Sequence, residues 1–579
     1  MPSETSLPPI EIGHTHRLSL EDVAAVAAGA DVSLAPASRS LLAERRAQIE
    51  AYVNATAQPA YGFNRGFGSN VRDKVDPERL KRLQVNLIRS HSVGVGTPAP
   101  VEVVRATMLL RARSLVGGHS GVRPAVVEQL VAFLNAGITP LVPQLGSVSA
   151  SGDLTPLSHV ALGLIGEGEV IVAGERLPAA DALQAAGIAP LELEMKEGLA
   201  LNNGVQFTAA YGALATLRLE TLLRTAAVST AVSAQVMLGA DTPFRAELHA
   251  LRPHPGSVRF ARWVHGLMAG SPLREAHRPY AIDGEIQDPY NLRCAAQILG
   301  PCWQLAERAR DTLETEFASV TDNPILLQAG ARRDDGSSWG EWAGQMVEIV
   351  SGGHFHGMPL AVDLYGLIQA LGILTSLTNA RCQRYVDADR NKGLGPQLKW
   401  PGADRDLSDD PELLAERATR SGMMLAEYAT ASLANWMWGQ ALPSHLMSLP
   451  TDSGQEDHVS MGLNVAIRAY EAMPRAAEAL GIELAYAAQA AALRREMRHL
   501  PSRAGPDTPG AGKTPVTWYP IPEEARRLSP AGEAAVAAVQ AHFPPVIEDR
   551  VLSDQLRALG DAVLAGEIAG AVDDHIDWG

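Results

Sequence analysis

The sequence predicts a mainly α protein, with a small α/β N-terminal unit, a long central helical bundle and a helical C-terminal segment. Two observations carry that reading. Stretches rich in Ala, Leu, Val, Ser and Thr with few charges, Gly204–Ala240 above all, have the length of helices rather than strands. Candidate strands are few and short, and they fall early in the chain.

Taken in order, residues 1–10 form a polar, Pro-containing tail. Over 11–205 short helical stretches alternate with Gly-rich turns. Val103, Met108, Leu110 and Leu115 give Val101–Ala136 a helical apolar spacing, and Gly163–Ala173 resembles a short strand pair. Over 206–500 the runs Gly204–Ala240, Leu364–Thr378 and Leu425–Gln440 are apolar nearly all round, so each is expected to be buried on every side. Gly366 and Gly372 weaken the second run. Such helices side by side make a bundle whose central members are sheathed by others. One chain has difficulty covering that much apolar helix, so self-association is expected. Gln328–Gly344 reads as a turn-rich excursion and Pro401–Glu416 as an acidic, exposed insertion. Residues 501–525 form a Pro/Gly-rich loop, densest over Pro501–Pro522, where neither helix nor central strand is sustained. Residues 526–579 are a C-terminal segment, helical from about Ala531 to Ile568.

Length and charge bound the function. A chain of 579 residues exceeds one compact domain and implies two or three packed units. An apolar share of 46% is ordinary for a globular protein. The formal net charge of −16 opposes a nucleic-acid or anionic-membrane partner, whose phosphates it repels. Cys294, Cys302 and Cys382 show no Cys-x-x-Cys spacing, which suits a reducing compartment. The N-terminus lacks the basic start and apolar core of a secretion signal, and no stretch is read as reaching the roughly 18 apolar residues of a membrane span. A cytoplasmic location is the expectation.

The most informative stretch is Gly146-Ser-Val-Ser-Ala-Ser-Gly-Asp-Leu-Thr-Pro-Leu-Ser-His159. Taken by itself it reads as a small-residue loop with an N-cap before a helix. Its Ala150-Ser151-Gly152 also has a chemical possibility. If the Gly152 nitrogen attacks the Ala150 carbonyl, a five-membered ring closes. Loss of water from the ring and from the Ser151 side chain then leaves a conjugated exocyclic methylene, an electron-poor centre that attracts amines. Glycine permits the sharp bend, Ser151 carries a hydroxyl that can leave, and Ala150 is small enough not to crowd the ring.

Further blocks accompany it: Tyr61-Gly-Phe-Asn-Arg-Gly-Phe-Gly68, Asn86-Leu-Ile-Arg-Ser-His-Ser-Val-Gly-Val-Gly96 and Glu197-Gly-Leu-Ala-Leu-Asn-Asn-Gly204. Later come Gln287-Asp-Pro-Tyr-Asn-Leu-Arg-Cys294, Gly352-Gly-His-Phe-His356 and Ser448-Leu-Pro-Thr-Asp-Ser-Gly-Gln-Glu-Asp-His-Val-Ser-Met461. In these blocks and their order, from about Tyr61 to about Gln489, the chain resembles the aromatic amino acid ammonia-lyase family. The resemblance implies that Ala150-Ser151-Gly152 cyclises by itself to a methylidene-imidazolone group, with no metal or external cofactor. It also implies a small-molecule amino acid substrate and a homotetramer.

The family's reaction removes ammonia and a β-hydrogen from an α-amino acid, and the amine leaves badly unless it is bound to an electron sink. By resemblance the base is Tyr61, a phenol with an ordinary pKa of about 10 that needs help from nearby cations or a helix N-terminus. Arg293 matches the residue that binds the substrate carboxylate, a planar partner suited to guanidinium. Gln287 and Tyr290 match residues lining the family's site. Asn203 matches an asparagine beside the electrophile, where a hydrogen bond to developing negative charge is worth roughly 3 kcal/mol. Ser90-His91 matches the pair carried by the family's histidine-specific members, and Glu456 is the second pointer to an imidazole. A buried imidazole needs partners for both nitrogens, and leaving His91 and Glu456 unsatisfied would cost about 1–3 kcal/mol each. Phe355 falls in a matching block. Histidine or a close relative is therefore the expected substrate, with tyrosine, phenylalanine or another polar amino acid, and a 2,3-aminomutase using the same electrophile, as alternatives, and a catalytically degenerate scaffold as a remote one.

Three positions depart from the family pattern: Arg65 stands for a threonine, His354 for an asparagine and Gly454 for another asparagine. Arg65, close to Tyr61 in sequence, is expected to depress the tyrosine's pKa or to hold a polar substituent on the substrate. His354-Phe355-His356 has the His-x-His spacing that aims two rings to one side of a strand. The family has no metal there, so no metal site is expected. Asp457 and His458 read as structural partners.

Overall fold

The computed structural model describes residues 9–55, 79–277, 287–328, 347–402, 410–503 and 516–579. The chain divides into two compact units, each assembled from separate stretches: 1–217, 308–365 and 443–470 in the first, 218–307, 366–442 and 471–579 in the second. Helices dominate both, and the strands are short.

In the first unit Ile10–Ile12 pairs in parallel with Val32–Leu34. Between them the helix Leu20–Ala27 starts on a capping box, where the Ser19 hydroxyl and the Asp22 carboxylate each accept the other's backbone N–H. The helices Leu80–His91, Val101–Leu115, Pro124–Asn135 and Leu154–Leu164 follow, with every residue from Val103 to Leu115 buried. The strand pair expected at Gly163–Ala173 lies further on, as Glu169–Val172 against Glu175–Pro178. Helix Leu154–Leu164 runs through Gly163, and Ala173-Gly174, both at positive φ, supply the two-residue turn that a right-twisted hairpin favours.

The run Gly204–Ala240 is the helix Gln206–Val236, buried almost throughout as its composition demands. Leu364–Thr378 lies within the helix Met358–Val386. That helix corrects the reading that no segment is long and apolar enough to span a membrane. It passes on length and composition, with a mean hydropathy of 1.6 over its best window, but 61% of that window is buried inside the protein. A core helix and a membrane helix share this composition because both escape water.

In the second unit the helix Ala426–Gln440 departs from the all-round burial its composition predicts. Only Ala426, Thr430, Ala434 and Met437 are buried, one stripe at helical spacing, while Tyr428, Trp436 and Trp438 are exposed. The Pro501–Pro522 stretch is also more ordered at its ends than a loop. His499–Arg503 pairs antiparallel with Val516–Pro520. Pro501 and Pro520 are tolerated because a two-stranded sheet has only edge strands. The helix Pro411–Ala418 buries no residue, as an exposed insertion should. The C-terminal helices are Pro530–His542 and Ser553–Ala565.

Candidate active site

The loop 146–153 joins the strand Pro143–Leu145 to the helix Leu154–Leu164 and is tied down from several directions within the first unit. Fully buried Asp153 collects hydroxyl hydrogen bonds from Ser147 (3.0 Å), Ser149 (2.7 Å) and Thr208 (2.9 Å), and the Thr208 N–H at 2.7 Å. Burial raises its pKa, and these donors oppose the rise. The Ser149 carbonyl accepts from the Gly357 N–H (3.0 Å) and the Ser460 hydroxyl (2.8 Å). The Met461 N–H donates to the Val148 carbonyl at 3.0 Å, and Ala150 is buried against Val459 and Met461.

Gly152, at φ +77°, lies directly against Gly204 in a single parallel bridge. A Cβ on Gly152 would come 2.3 Å from the Gly204 carbonyl oxygen, so only glycine fits. The Asp153 N–H donates to that oxygen at 2.6 Å. One residue earlier, the Asn203 side-chain amide donates to the Ser151 carbonyl oxygen at 2.8 Å. Behind this turn the fully buried Arg111 donates from Nη1 to the Asn203 carbonyl (2.8 Å) and to Gln206 Oε1 (2.9 Å).

The Ser151 hydroxyl donates to Glu456 Oε1, and the Thr451 hydroxyl donates to Glu456 Oε2 at 2.6 Å. Glu456 is carried on a tight turn closed by backbone hydrogen bonds between Thr451 and Glu456. Gly454 sits there at φ +84°, a left-handed position that glycine and asparagine adopt more readily than other residues. The departure from asparagine thus has a backbone reason and does not need a change of substrate.

These contacts fit a self-formed imidazolone. Gly152 is pressed into a cradle that a Cβ would fill, Ser151 is held at its carbonyl and at its hydroxyl, and Ala150 is packed without crowding.

His91 ends the helix Leu80–His91, half-buried, with its Nδ1 3.0 Å from the Ser90 hydroxyl. That hydroxyl spends its proton on the Leu87 carbonyl at 3.0 Å, so it accepts from His91, leaving Nε2 as the acceptor of the neutral ring. Burial lowers the His91 pKa, against the Leu87 backbone and, more weakly, the charges of Asp452 and Glu456. The acidic turn is thus within electrostatic reach of the ring, although Glu456 itself is hydrogen-bonded to Ser151 and Thr451.

His354 and Phe355 lie in a turn and His356 just after it, none of them on a strand, and the two imidazoles have different neighbours. His356 Nε2 lies 3.1 Å from the His458 carbonyl and its ring stacks on His458. Exposed His354 lines a cavity of about 300 Å³ with His119, Ser319 and Val350. Among the described residues no group of three His, Cys, Asp or Glu side chains is placed to hold a metal.

Gln287, Tyr290 and Arg293 belong to the second unit. There Arg293 Nη2 donates to Gln287 Oε1 at 2.6 Å, and its guanidinium lies 4.6 Å from the Tyr290 ring centre. Gln287 and Arg293 line a cavity of about 640 Å³. Tyr61 and Arg65 fall outside the described residues. Sequence reasoning missed Arg111, Asp153, Thr451 and Gly204 as partners of the loop. Asp153, Thr451 and Gly204 stand inside the quoted motifs, whereas Arg111 stands in an apolar helix with no local signal.

Residues 18–512 match the aromatic amino acid lyase family. A histidine ammonia-lyase of Symbiobacterium thermophilum is 38% identical over 566 residues, covering 97% of this chain and 98% of its own. Among solved structures, histidine ammonia-lyase from Trypanosoma cruzi aligns with a TM-score of 0.81 at 28% identity, over 98% of this chain and 96% of that one. A tyrosine aminomutase from Streptomyces globisporus aligns with the same TM-score at 31% identity, over 98% and 99%. The long helices and the sparse short strands agree with these matches, and the chain belongs to the aromatic amino acid lyase family, a carbon–nitrogen lyase by that membership.

Proposed function

We propose that the protein eliminates ammonia from histidine, or a histidine-like α-amino acid, to give the α,β-unsaturated acid. The observation that carries this is the double hold on Ser151, by Asn203 at the carbonyl and by Glu456 at the hydroxyl. Ala150, Ser151 and Gly152 would form the methylidene-imidazolone, which supplies an electrophile for the substrate's amine. Arg293 takes the substrate carboxylate, beside Gln287 and Tyr290, and Tyr61 removes the β-proton. The His91 Nε2 lone pair accepts one imidazole N–H of the substrate. Loss of the Ser151 hydroxyl frees Glu456 Oε1 to accept the other, so maturation itself prepares the carboxylate for substrate. Phe355 and Ser90 complete the lining, and Arg65 is assigned to Tyr61 or to a polar substituent on the substrate.

The support is the run of histidine ammonia-lyases among the relatives at 37–40% identity. An aminomutase is the second reading, favoured by the similarity to tyrosine aminomutase. A cytoplasmic homotetramer, without nucleic-acid or membrane partners, belongs to the same proposal. The test combines intact mass with product analysis. The chain should be lighter than its sequence by two waters, and L-histidine should yield urocanate and stoichiometric ammonia. A β-amino acid with little ammonia would establish the mutase instead. Turnover of a ring-substituted histidine, tyrosine or phenylalanine but not of histidine would overturn the substrate assignment.

A further inference from the structure

Arg111 poses an energetic question. It is fully buried in the helix Val101–Leu115, yet its Nε and Nη2 have no hydrogen-bond partner among the described residues. A buried donor left without an acceptor is unfavourable, since it has given up its water and gained nothing in return. Burial lowers its pKa to about 10, and the Asp322 charge that opposes this is already bound twice by Lys196, at 2.8 and 2.9 Å. A neutral side chain could supply the two hydrogen bonds that Arg111 does make. What a neutral residue could not supply is a positive charge behind the Asn203–Gln206 turn.

We infer that Arg111 is a positioning residue for maturation of the Ala150-Ser151-Gly152 loop: it holds the turn that keeps the Asn203 amide on the Ser151 carbonyl, and its charge draws electron density towards that turn. The inference rests on the proposed self-cyclisation. In the first step the Gly152 nitrogen bonds to the Ala150 carbonyl carbon, and its proton passes to the Ala150 oxygen. That hydroxyl leaves as water with the Ser151 N–H proton, making a C=N bond. In the second step Ser151 loses its Cα proton and its Cβ hydroxyl as another water, making a C=C bond. No oxidant or reductant is needed. As the Cα proton leaves, the electron pair spreads onto the Ser151 carbonyl oxygen, the atom on which the Asn203 amide donates. The Arg111 Nη1 bond to the Asn203 carbonyl fixes that residue from the other side.

The experiment separates the charge from the fold. Gln206 accepts from Arg111 and donates to the Thr321 hydroxyl at 2.6 Å. Gln206→Glu is nearly isosteric and would place a carboxylate on the guanidinium, neutralising its field while keeping it in place. Wild type, Arg111→Gln, Arg111→Lys and Gln206→Glu are made by cell-free synthesis, and intact mass is read at intervals with melting temperature as the fold control. The expected result is loss of the two waters about ten- to a hundredfold slower in Arg111→Gln and Gln206→Glu, with partial recovery in Arg111→Lys. Wild-type kinetics in a folded Gln206→Glu would overturn the role of charge. The same kinetics in a folded Arg111→Gln would overturn the positioning role. If Arg111→Gln does not fold, Arg111→Lys and Gln206→Glu decide. A wild-type chain that loses no water would defeat the proposed function itself, a different outcome.

Discussion

At the residue scale the decisive atoms are the carbonyl oxygen and the hydroxyl of Ser151. Asn203 serves the first by donating from its side-chain amide, and its Oδ1 has no partner among the described residues. Asn203→Ala is expected to lower kcat by about a hundredfold, with KM changing far less, since about 3 kcal/mol of stabilisation is lost. Steady-state kinetics on fully matured protein checks it. Glu316 shows how burial near the site is felt in stability. Burial, reinforced by the negative charge of Asp153, raises its pKa to about 7. A raised carboxyl binds more protons folded than unfolded between its ordinary value and about pH 7, so its burial costs stability increasingly as pH climbs through that window. Glu316→Gln should raise the melting temperature at pH 8, by about 1–2 kcal/mol equivalent, and by much less at pH 5. An equal gain at both pH values would refute the assignment. These residues differ in how they could be read beforehand. Asn203 was legible because its motif is local, whereas Glu316 and Arg111 sit in helices whose sequence gives no sign of what they face.

At the scale of elements, the loop is shaped by a contact between two glycines far apart in sequence. Gly204 stands at φ +152°, and a Cβ there would come within 2.5 Å of Gln206 Oε1 and of the Thr321 hydroxyl. Gly204→Ala is expected to cost about 1–3 kcal/mol and to leave a large share of the chains without the two-water loss. Calorimetry and intact mass on one sample would check both effects, and wild-type values in the two measurements would show that the contact is not a constraint. The hairpin Glu169–Pro178 and the paired strands at His499–Arg503 and Val516–Pro520 show the limits of local reading. In the first, a helix runs through the glycine at which the strand pair was expected to begin. In the second, proline was tolerated because the sheet has only edges.

At the scale of the whole molecule, the unsheathed face of the helix Ala426–Gln440 bears on assembly. Tyr428, Trp436 and Trp438 are 64%, 41% and 58% exposed, more aromatic surface than a solvated helix carries without a use. If a second copy covers this face, Trp438→Glu should shift sedimentation velocity from the proposed tetramer to smaller species. Unchanged sedimentation would place the interface elsewhere. The sequence by itself determined the helical class and singled out the Ala150-Ser151-Gly152 triplet and most of the residues proposed to act with it, because helical spacing and contiguous motifs are written locally. Only the tertiary structure decided that Glu456 is engaged by Ser151, that Gly152 meets Gly204, and that Arg111 stands behind Asn203. Those are contacts between residues separated by tens to hundreds of positions, and they depend on how helices pack rather than on any local pattern.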